Sequence, residues 1–397
     1  MKGLRVWLGN PVQVTAQLGW TQSGLPYELV NPPQGAVALA FVHLTPYLAK
    51  FPNGDLIVTY TLDPDRSANP VTVSGFQISH DGGEHWGRRY SLLMQHMTMT
   101  FVPKPLDALL GLPSETFQQT VGNQHNYSGP SYLFERGGDR LTVTPDGVRV
   151  VDFPWAAHIW PSMQPRSNWH AALFISGSTV EVGKKLLATA DLLKEGDKLW
   201  RVLLLASEDG GYTWRYFSTI AGPDESLGSQ EGYEGPNEVN VIKLADGDLM
   251  AVFRVGSGER WHLQRAYSHG GRTWTKPDVL PAWSVSPELK RIENGTIVLS
   301  TGRPGIHLWL SADPRGTTWQ DIDIVAYHNR WATNPNMRIL STQVQNHTIW
   351  QTSSYTGLAE VAPNHLLMVY DRDPEAAPAG PQDLSRVFVL PIEVEKK

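Results

Sequence analysis

Short apolar runs alternate along the chain with turns that contain glycine. Val202–Ala206 is one such run, and its length and composition are typical of a buried β-strand. Helix signals are scarce, and only Pro105–Leu110 is expected to form a turn or two of helix. The pattern of apolar and polar positions therefore predicts an all-β chain.

Two-residue turns between apolar runs mark the predicted β-hairpins. Asn-Gly and Asp-Gly are the strongest short-range hairpin signals, because glycine adopts positive φ without a steric penalty. Several of these turns lie about 50 residues apart, which is a spacing expected of propeller blades. Six hairpins predict six blades. The turns are Pro52–Asp55, Pro145–Val148, Lys194–Asp197, Ala245–Asp248, Glu293–Thr296 and Pro363–His365, the last without glycine.

A second signal repeats the spacing Ser-x-Asp-x-Gly-x-x-Trp. Ser79–Trp86 and Ser207–Trp214 carry it intact, Ser311–Trp319 carries it with one insertion, and Tyr267–Trp274 is a degraded copy. In such a turn, Asp accepts hydrogen bonds from backbone amides and Gly takes the positive φ. The Ser hydroxyl and the Trp ring fix the loop to its own strands. The motif predicts a structural turn and no catalysis.

This motif resembles the Asp-box, or bacterial neuraminidase repeat, of the sialidase superfamily. The resemblance implies a six-bladed β-propeller of four-stranded antiparallel blades, formed by residues 1–397 as a single domain. A strand near 11–15 is expected to close the ring beside Arg386–Leu390. The expected blades cover about 36–100, 115–165, 170–225, 233–280, 282–330 and 345 to the end.

Composition limits the partners that the chain is expected to bind. A net charge of −6 provides no bulk attraction to nucleic acid or to an anionic membrane. The absence of cysteine excludes disulfides, thiol nucleophiles and Cys-ligated metals. His125, His158 and His170 lack metal-binding spacing, so we expect no metal. A hydrolase of the sialidase type, which the resemblance implies, needs no organic cofactor. We expect a soluble protein, cytoplasmic as the sequence stands, or secreted or periplasmic if a signal peptide was removed.

Four residues match the sialidase site in kind and in order. Tyr355 resembles the nucleophilic tyrosine, and Glu238 resembles its acidic partner. Arg254 and Arg303 resemble the second and third arginines of the triad that binds the substrate carboxylate. The resemblance therefore implies an active site assembled from the last three blades.

The chemistry explains why these residue types occur together. The anomeric carbon of a 2-keto acid sugar bears a carboxylate, which repels a carboxylate nucleophile but not a neutral phenol. A phenol with a pKa of about 10 needs a neighbouring base to withdraw its proton during attack. The planar guanidinium of arginine can donate two hydrogen bonds to a sugar carboxylate.

The sequence departs from the sialidase pattern in the first blade. Leu44 occupies the place of the first triad arginine, and His43 and Arg66 are the nearest residues that could compensate for it. The general acid is expected in the loop after the second strand, where we favour Asp63 over Asp65. Asp65 adjoins Arg66, and an ion pair with it would lower the pKa of an acid that must hold its proton.

A stretch rich in Trp, His and Pro, Phe153–His170, has no strand alternation and is predicted to be a long loop. Trp155 and His158 lie in this loop and are candidates for sugar binding. The alternative is a loop that packs its own aromatic side chains.

The leading hypothesis is a retaining exo-acting glycoside hydrolase that removes a terminal sialic acid or a related 2-keto acid sugar from a glycan. A second hypothesis is an enzyme for a uronic or neutral sugar, which would use two-carboxylate hydrolysis by Glu238 and Asp63 or β-elimination. The third is a non-catalytic glycan-binding propeller.

Overall fold

The structure, a computed structural model, describes residues 3–15, 28–30, 44–61, 73–87, 90–93, 99–113, 117–137, 140–155, 172–228, 232–256, 261–283, 285–344, 347–373 and 386–397. These residues form β-strands with one α-helix and one 3-10 helix, so the predicted all-β class is confirmed. None of the helices in this part of the chain has the length and hydrophobicity that a membrane span requires.

The strands of the first half are β1 (Leu4–Leu8), β2 (Val12–Gln13), β3 (Glu28–Val30), β4 (Leu44–Lys50), β5 (Leu56–Thr61), β6 (Val73–Ser79), β7 (Tyr90–Leu93), β8 (Met99–Lys104), β9 (Ala108–Pro113), β10 (Gln118–Gln119), β11 (Tyr127–Gly137), β12 (Arg140–Val150), β13 (Ala172–Val182) and β14 (Lys185–Leu193). Those of the second half are β15 (Arg201–Ser207), β16 (Thr213–Ala221), β17 (Asn237–Lys243), β18 (Leu249–Arg254), β19 (His262–Ser268), β20 (Asp278–Trp283), β21 (Glu288–Arg291), β22 (Ile297–Gly302), β23 (Ile306–Ser311), β24 (Gln320–Asp323), β25 (Ser341–Val344), β26 (His347–Trp350), β27 (Gly357–Ala362), β28 (His365–Arg372) and β29 (Arg386–Lys396). The α-helix α1 covers Ile324–Trp331, and the 3-10 helix covers Pro335–Met337.

Consecutive strands pair as neighbours in two four-stranded sheets, β17–β20 and β21–β24, and in the run β13–β16. Five of the six predicted two-residue turns connect consecutive strands that pair with each other. Four of them place a glycine at positive φ, for example Gly247 at 91°, and the fifth uses Asn364 at 61°. The hairpin signals in the sequence therefore predicted these connections correctly.

A nine-stranded sheet joins β8–β12 to β13–β16. The link is a short parallel pairing of β12 with β16, in which Arg149 faces Thr213 and Val150 faces Trp214. A five-stranded sheet contains β3–β7, and β25 pairs with β26. No sheet closes on itself within the described residues, so the number of blades stays a prediction.

The two ends of the chain pair in a five-stranded sheet of β1, β2 and β27–β29. Val12 of β2 faces Val389 of β29, and β1 pairs with the last residues of the same strand. The backbone groups of β29 are therefore bonded by N-terminal residues on one side and by β28 on the other.

The chain divides into two compact units. Unit 1 contains Met1–Lys50, Gly54–Thr98 and Ile292–Lys397, and unit 2 contains Phe51–Asn53 and Met99–Arg291. Each unit has its own buried hydrophobic clusters. Those of unit 1 lie around Tyr370 and Val58, and those of unit 2 lie around Trp214 and Phe253.

The intact Ser-Asp-Gly-Trp turns have the predicted hydrogen bonds. Ser207 Oγ donates to Asp209 Oδ1 at 2.8 Å and accepts from the Gly211 amide at 2.8 Å. Asp209 also accepts from the amide of Thr213, and Trp214 Nε1 donates to the Gly211 carbonyl, both at 2.8 Å. The turn that follows β6 repeats this pattern, with Trp86 Nε1 3.1 Å from the Gly83 carbonyl.

Two local predictions differ from the structure, and one helix was not predicted. Pro105–Leu110 is not helical: Leu106 and Asp107 adopt positive φ in a hairpin turn between β8 and β9. Pro145–Val148 is no turn, because it lies inside β12, where pairing with β11 keeps the chain extended. The helix α1 was not predicted. Its N-terminus is capped by Asp323, which accepts from the Ala326 amide at 2.8 Å.

Candidate functional site

In unit 2, charged side chains meet where β17 begins and β18 ends. Asn237 of β17 faces Arg254 of β18, and the register shifts between Asn237 and Asn240. Glu238 lies in this irregular segment with a φ of 48°. A β-bulge of this kind redirects a side chain that regular pleating would point elsewhere. We call the group formed by Asp191, Glu234, Asn237, Glu238, Arg254 and Ser286 the Glu238 cluster.

The guanidinium of Arg254 is held by three protein groups. Its Nη2 donates to Glu234 Oε2 at 2.5 Å, and its Nε lies 2.6 Å from Asn237 Oδ1 and 3.1 Å from Glu238 Oε2. The side chain of Arg254 is 12% exposed, whereas those of Glu238 and Glu234 are 21% and 38% exposed. The structure thus brings Glu238 and Arg254 into one ion-pair network whose carboxylates reach the solvent.

Glu238 is held at both its backbone and its carboxylate. Its amide donates to Asp191 Oδ2 at 3.0 Å, and its Oε2 accepts from the Ser286 amide at 2.6 Å. Asp191 is fully buried in β14, and this burial raises the pKa of its carboxyl to about 7. The contacts leave the Glu238 carboxylate little freedom to rotate.

A second carboxyl group, Glu288 at the start of β21, lies beside the buried Asn240 of β17. Asn240 Nδ2 donates to Glu288 Oε2 at 3.0 Å, and Asn240 Oδ1 accepts from Ser178 Oγ at 2.7 Å. Glu288 is only partly exposed, and burial raises the pKa of its carboxyl to about 7. A carboxyl with such a pKa can hold a proton near neutral pH, as a general acid must.

In unit 1, the structure brings Arg303 and Tyr355 together. The guanidinium carbon of Arg303 lies 5.7 Å from the centre of the Tyr355 ring, within the range of a cation–π contact. Arg303 Nη2 also donates to the Ser353 carbonyl at 3.1 Å. Both side chains are partly exposed. We call the group formed by Thr45, Arg303, Thr352, Ser353, Tyr355 and Asp371 the Tyr355 cluster.

A glycine permits this approach. A Cβ atom on Gly302 would lie 2.3 Å from the Ser354 carbonyl oxygen and 2.6 Å from the Ser354 Cβ. No side chain fits at that distance. Gly302 ends β22, so the close passage of Ser354 places Tyr355 next to Arg303, the residue after the glycine.

The segment that leads to Tyr355 is tied to a buried carboxylate. Asp371 Oδ1 accepts from Thr352 Oγ1 at 2.6 Å and from the Ser353 amide at 2.9 Å. Ser353 Oγ in turn accepts from the Tyr355 amide at 3.3 Å. Asp371 is fully buried, which raises the pKa of its carboxyl to about 7.

Trp155, a predicted sugar-binding residue, is partly buried and packs edge-to-face on Tyr216 at 4.9 Å and on Phe153 at 5.6 Å. Its role in sugar binding stays a prediction. The predicted site residues His43, Asp63, Arg66 and His158 lie outside the described residues. Leu44, in place of the first triad arginine, begins β4.

One group of side chains within the described residues has the spacing of metal ligands. Ligand atoms of Asp81, Glu84 and His85 lie within 4.8 Å of one another, and all three residues are exposed. Asp81, however, accepts hydrogen bonds from Ser79 Oγ and the His85 amide within its turn. These bonds account for the cluster as part of a structural turn.

Asp191, Glu234 and Glu288 were not predicted from the sequence, and Asp371 was expected to be a structural residue. The sequence does contain a signal for two of these four residues. Asp191 and Asp371 are each an acidic residue at the end of an apolar strand, in Ala188–Leu193 and Leu366–Arg372. Buried strands rarely carry a carboxylate without a structural or functional reason.

Comparison with known proteins gives structural neighbours only. No protein-family model and no curated protein matches the chain. A structure of a protein of unknown function from Dyadobacter fermentans has a TM-score of 0.60 at 16% identity, over 98% of this chain and 99% of that one. The α-L-arabinanase of Penicillium chrysogenum has a TM-score of 0.56 at 16% identity, over 96% and 98%.

A third neighbour is the Hadza microbial sialidase Hz136, with a TM-score of 0.54 at 13% identity, over 89% of this chain and 66% of that one. At these identities the similarity shows a shared fold, which is the propeller fold of these enzymes.

Proposed function

We propose that this protein is a retaining glycoside hydrolase that removes a terminal acidic sugar, a sialic acid or a related 2-keto acid sugar, with Tyr355 as its nucleophile. The observation that carries the proposal is the contact between Arg303 and Tyr355. It puts a cation, which suits a sugar carboxylate, beside a phenol, which suits the anomeric carbon of that sugar.

In the proposed reaction, Tyr355 Oη forms a bond to the anomeric carbon as the bond to the leaving oxygen breaks. Glu238 takes the phenolic proton, and Asp63 donates a proton to the leaving oxygen. Water then attacks the anomeric carbon and gives its proton to the Asp63 carboxylate as the bond to Tyr355 Oη breaks. Glu238 returns its proton to the phenolate, and the sugar leaves with net retention. The pairing of Tyr355 with Glu238 is part of the proposal.

The geometry around Glu238 supports the role of a fixed base. The Ser286 amide and Arg254 both bind Oε2, so the carboxylate keeps one orientation. The fold also supports a glycosidase, because neighbours of the same fold include a sialidase and an α-L-arabinanase.

Measuring sugar release from aryl α-ketosides of sialic acid and Kdn tests this function. Tyr355→Phe keeps the ring and removes the nucleophile, so kcat should fall by about 100-fold or more. Tyr267→Phe is the matched control, because the Tyr267 ring also lies near a guanidinium, 5.5 Å from Arg265. Wild-type inactivity towards every acidic 2-keto sugar in the set would refute the proposal.

A second candidate is hydrolysis of a neutral sugar, as the name of the arabinanase neighbour suggests. One observation favours it: Arg254 is already neutralised by Glu234 and Glu238, and so has less positive charge to offer to a sugar carboxylate. Glu238 would then serve as the base or nucleophile and Glu288 as the general acid of a two-carboxylate mechanism.

The two candidates differ in their sensitivity to substitution. An enzyme for neutral sugars should cleave an aryl α-L-arabinofuranoside and lose activity in Glu238→Gln and Glu288→Gln, while Tyr355→Phe stays active. Hydrolysis of the ketosides that depends on Tyr355 would exclude this candidate.

A further inference from the structure

Two buried carboxylates occupy equivalent places in the two units. Asp191 lies near the end of β14 in unit 2, and Asp371 lies near the end of β28 in unit 1. Both residues are 0% exposed. In each unit, the strand that carries the aspartate is the second of an antiparallel hairpin, β13–β14 or β27–β28.

Each carboxylate accepts a backbone N–H from a left-handed residue in another strand. Asp191 Oδ2 lies 3.0 Å from the amide of Glu238, and Asp371 Oδ2 lies 3.2 Å from the amide of Thr45. Glu238 and Thr45 both have a φ of 48°. The strand register shifts at both places, between Asn237 and Asn240 in β17 and between Leu44 and Tyr47 in β4.

Asp371 holds a second segment as well. Its Oδ1 binds Thr352 Oγ1 and the Ser353 amide, two residues before Tyr355. Ser353 Oγ lies 3.3 Å from both the Thr45 amide and the Tyr355 amide. Ser354, the residue before Tyr355, has a φ of 66°. The carboxylate of Asp371 is therefore the common anchor of both strained segments.

Neither the left-handed backbone angle nor the buried carboxylate is favourable by itself. A glutamate or a threonine avoids left-handed φ because its Cβ crowds the backbone, and a carboxylate avoids a site without water. An apolar side chain could fill each aspartate's position without that cost of burial. The structure offers one contact that joins the two unfavourable features, the hydrogen bond from the strained amide to the buried carboxylate.

We propose that Asp191 and Asp371 are positioning residues: Asp191 fixes the backbone from which Glu238 projects, and Asp371 fixes the segment that leads to Tyr355. The inference rests on the proposed function, which gives Glu238 and Tyr355 their catalytic roles. Besides burial, the charges of Glu238 and Arg254 affect the pKa of Asp191, and the charge of Asp373 affects the pKa of Asp371.

The test compares Asp191→Asn, which keeps the size of the side chain and removes its charge, with Asp209→Asn. Asp209 is the matched control, because it also accepts backbone amides but lies in a Ser-Asp-Gly-Trp turn. We expect Asp191→Asn to lower kcat by about 10-fold to 100-fold with a small change in KM, since a slight misplacement of a catalytic group has such effects. The pH dependence of kcat should also change. Asp209→Asn should lower Tm without either effect.

Asp371→Asn should likewise lower kcat, because Tyr355 is displaced. In the Tyr355→Phe background, the substitution should cause no further loss of kcat. An Asp191→Asn or Asp371→Asn enzyme with a lower Tm, but with the kcat and pH profile of the wild type, would overturn the proposal.

A crystal structure of Asp191→Ala provides a readout that does not depend on activity. We expect the φ of Glu238 to become negative and the separation of Glu238 Oε2 from Arg254 Nε to exceed 3.1 Å. If these changes occur in a protein that cleaves no glycoside, the proposed function fails and the positioning role stands. If the backbone of Glu238 stays unchanged, the positioning role fails. Should the alanine variant not fold, the structure of Asp191→Leu gives the same comparison, because leucine is close in size to aspartate and cannot accept the hydrogen bond.

Discussion

Several non-glycine residues adopt left-handed backbone angles at or beside the candidate catalytic residues. Glu238 and Arg303 do so themselves, with φ values of 48° and 54°, and Ser354 does so immediately before Tyr355. Such angles cost on the order of 1–3 kcal/mol for each residue and persist only where other contacts enforce them. The hydrogen bonds of Asp191 and Asp371 are contacts of this kind. The backbone therefore marks both clusters independently of their side-chain chemistry.

Gly302→Ala tests whether the arrangement of the Tyr355 cluster requires a residue without a Cβ atom at position 302. The new Cβ would lie 2.3 Å from the Ser354 carbonyl oxygen, so the segment before Tyr355 must move. We expect a loss of about 2 kcal/mol in the free energy of unfolding and a large fall in kcat. Gly137→Ala is the control, because no atom beyond its chain neighbours lies within 4 Å of the position that its Cβ would take. Urea denaturation and initial rates measure both effects, and a fully active Gly302→Ala protein would contradict the prediction.

Single residues of the site were predictable only where their order along the chain was informative. The order of Glu238, Arg254, Arg303 and Tyr355 resembles that of sialidases, and the structure places them in two contacting pairs. For Asp191, the acidic residue in an apolar strand indicates a buried carboxylate, but nothing in the sequence identifies the group that it contacts. Its contact with Glu238 spans 47 residues of sequence, and such distant pairs depend on tertiary folding.

At the scale of elements, turns whose hydrogen bonds are local were predicted well. All bonds of the Ser207–Trp214 turn lie within eight residues, so the sequence alone determines its geometry. Pro145–Val148 has an equally strong turn signal and is nevertheless a strand. There, eleven paired positions between β11 and β12 override the local preference.

Asp209→Ala should destabilise the protein without changing catalysis. The substitution leaves the amides of Tyr212 and Thr213 and the hydroxyl of Ser207 without their acceptor. We expect a loss of about 1–3 kcal/mol in the free energy of unfolding and an unchanged kcat/KM. Asp146→Ala is the control from the misassigned turn, where the carboxylate is exposed, and it should cost far less. Equal losses in the two variants would contradict the prediction.

For the whole molecule, the all-β class was predictable and the grouping of strands was not. Turn spacing indicated strands at regular intervals, and β13–β16, β17–β20 and β21–β24 follow them. The parallel pairing of β12 with β16 merges two sets of strands into one sheet, and it joins residues more than 60 positions apart. No local pattern in the sequence indicates a pairing between strands so far apart, and the division of the strands into blades stays a prediction.

The stability of the whole protein should fall as the pH rises towards 7. Burial raises the pKa of Asp191 and Asp371 from 3.8 to about 7, and that of Glu288 from 4.5 to about 7. Between the unfolded and the folded pKa, the unfolded chain has lost protons that the folded protein keeps, so each group disfavours folding as pH increases. Burial lowers the pKa of His328 below its ordinary value of 6.5. This shift makes the folded protein more stable as the pH rises, but only below pH 6.5.

Asp371→Asn isolates one of these groups, because asparagine has no proton to lose. The wild type should have a Tm lower at pH 8 than at pH 5, by on the order of 5 °C. The destabilisation caused by Asp371→Asn should be larger at pH 5 than at pH 8, since only the wild type weakens as Asp371 ionises. Asp209→Asn should give a constant difference over this range, because the pKa of Asp209 is lowered and its contribution is lost only in stronger acid. Thermal denaturation of the three proteins at several pH values measures the effect, and parallel curves for wild type and Asp371→Asn would contradict it.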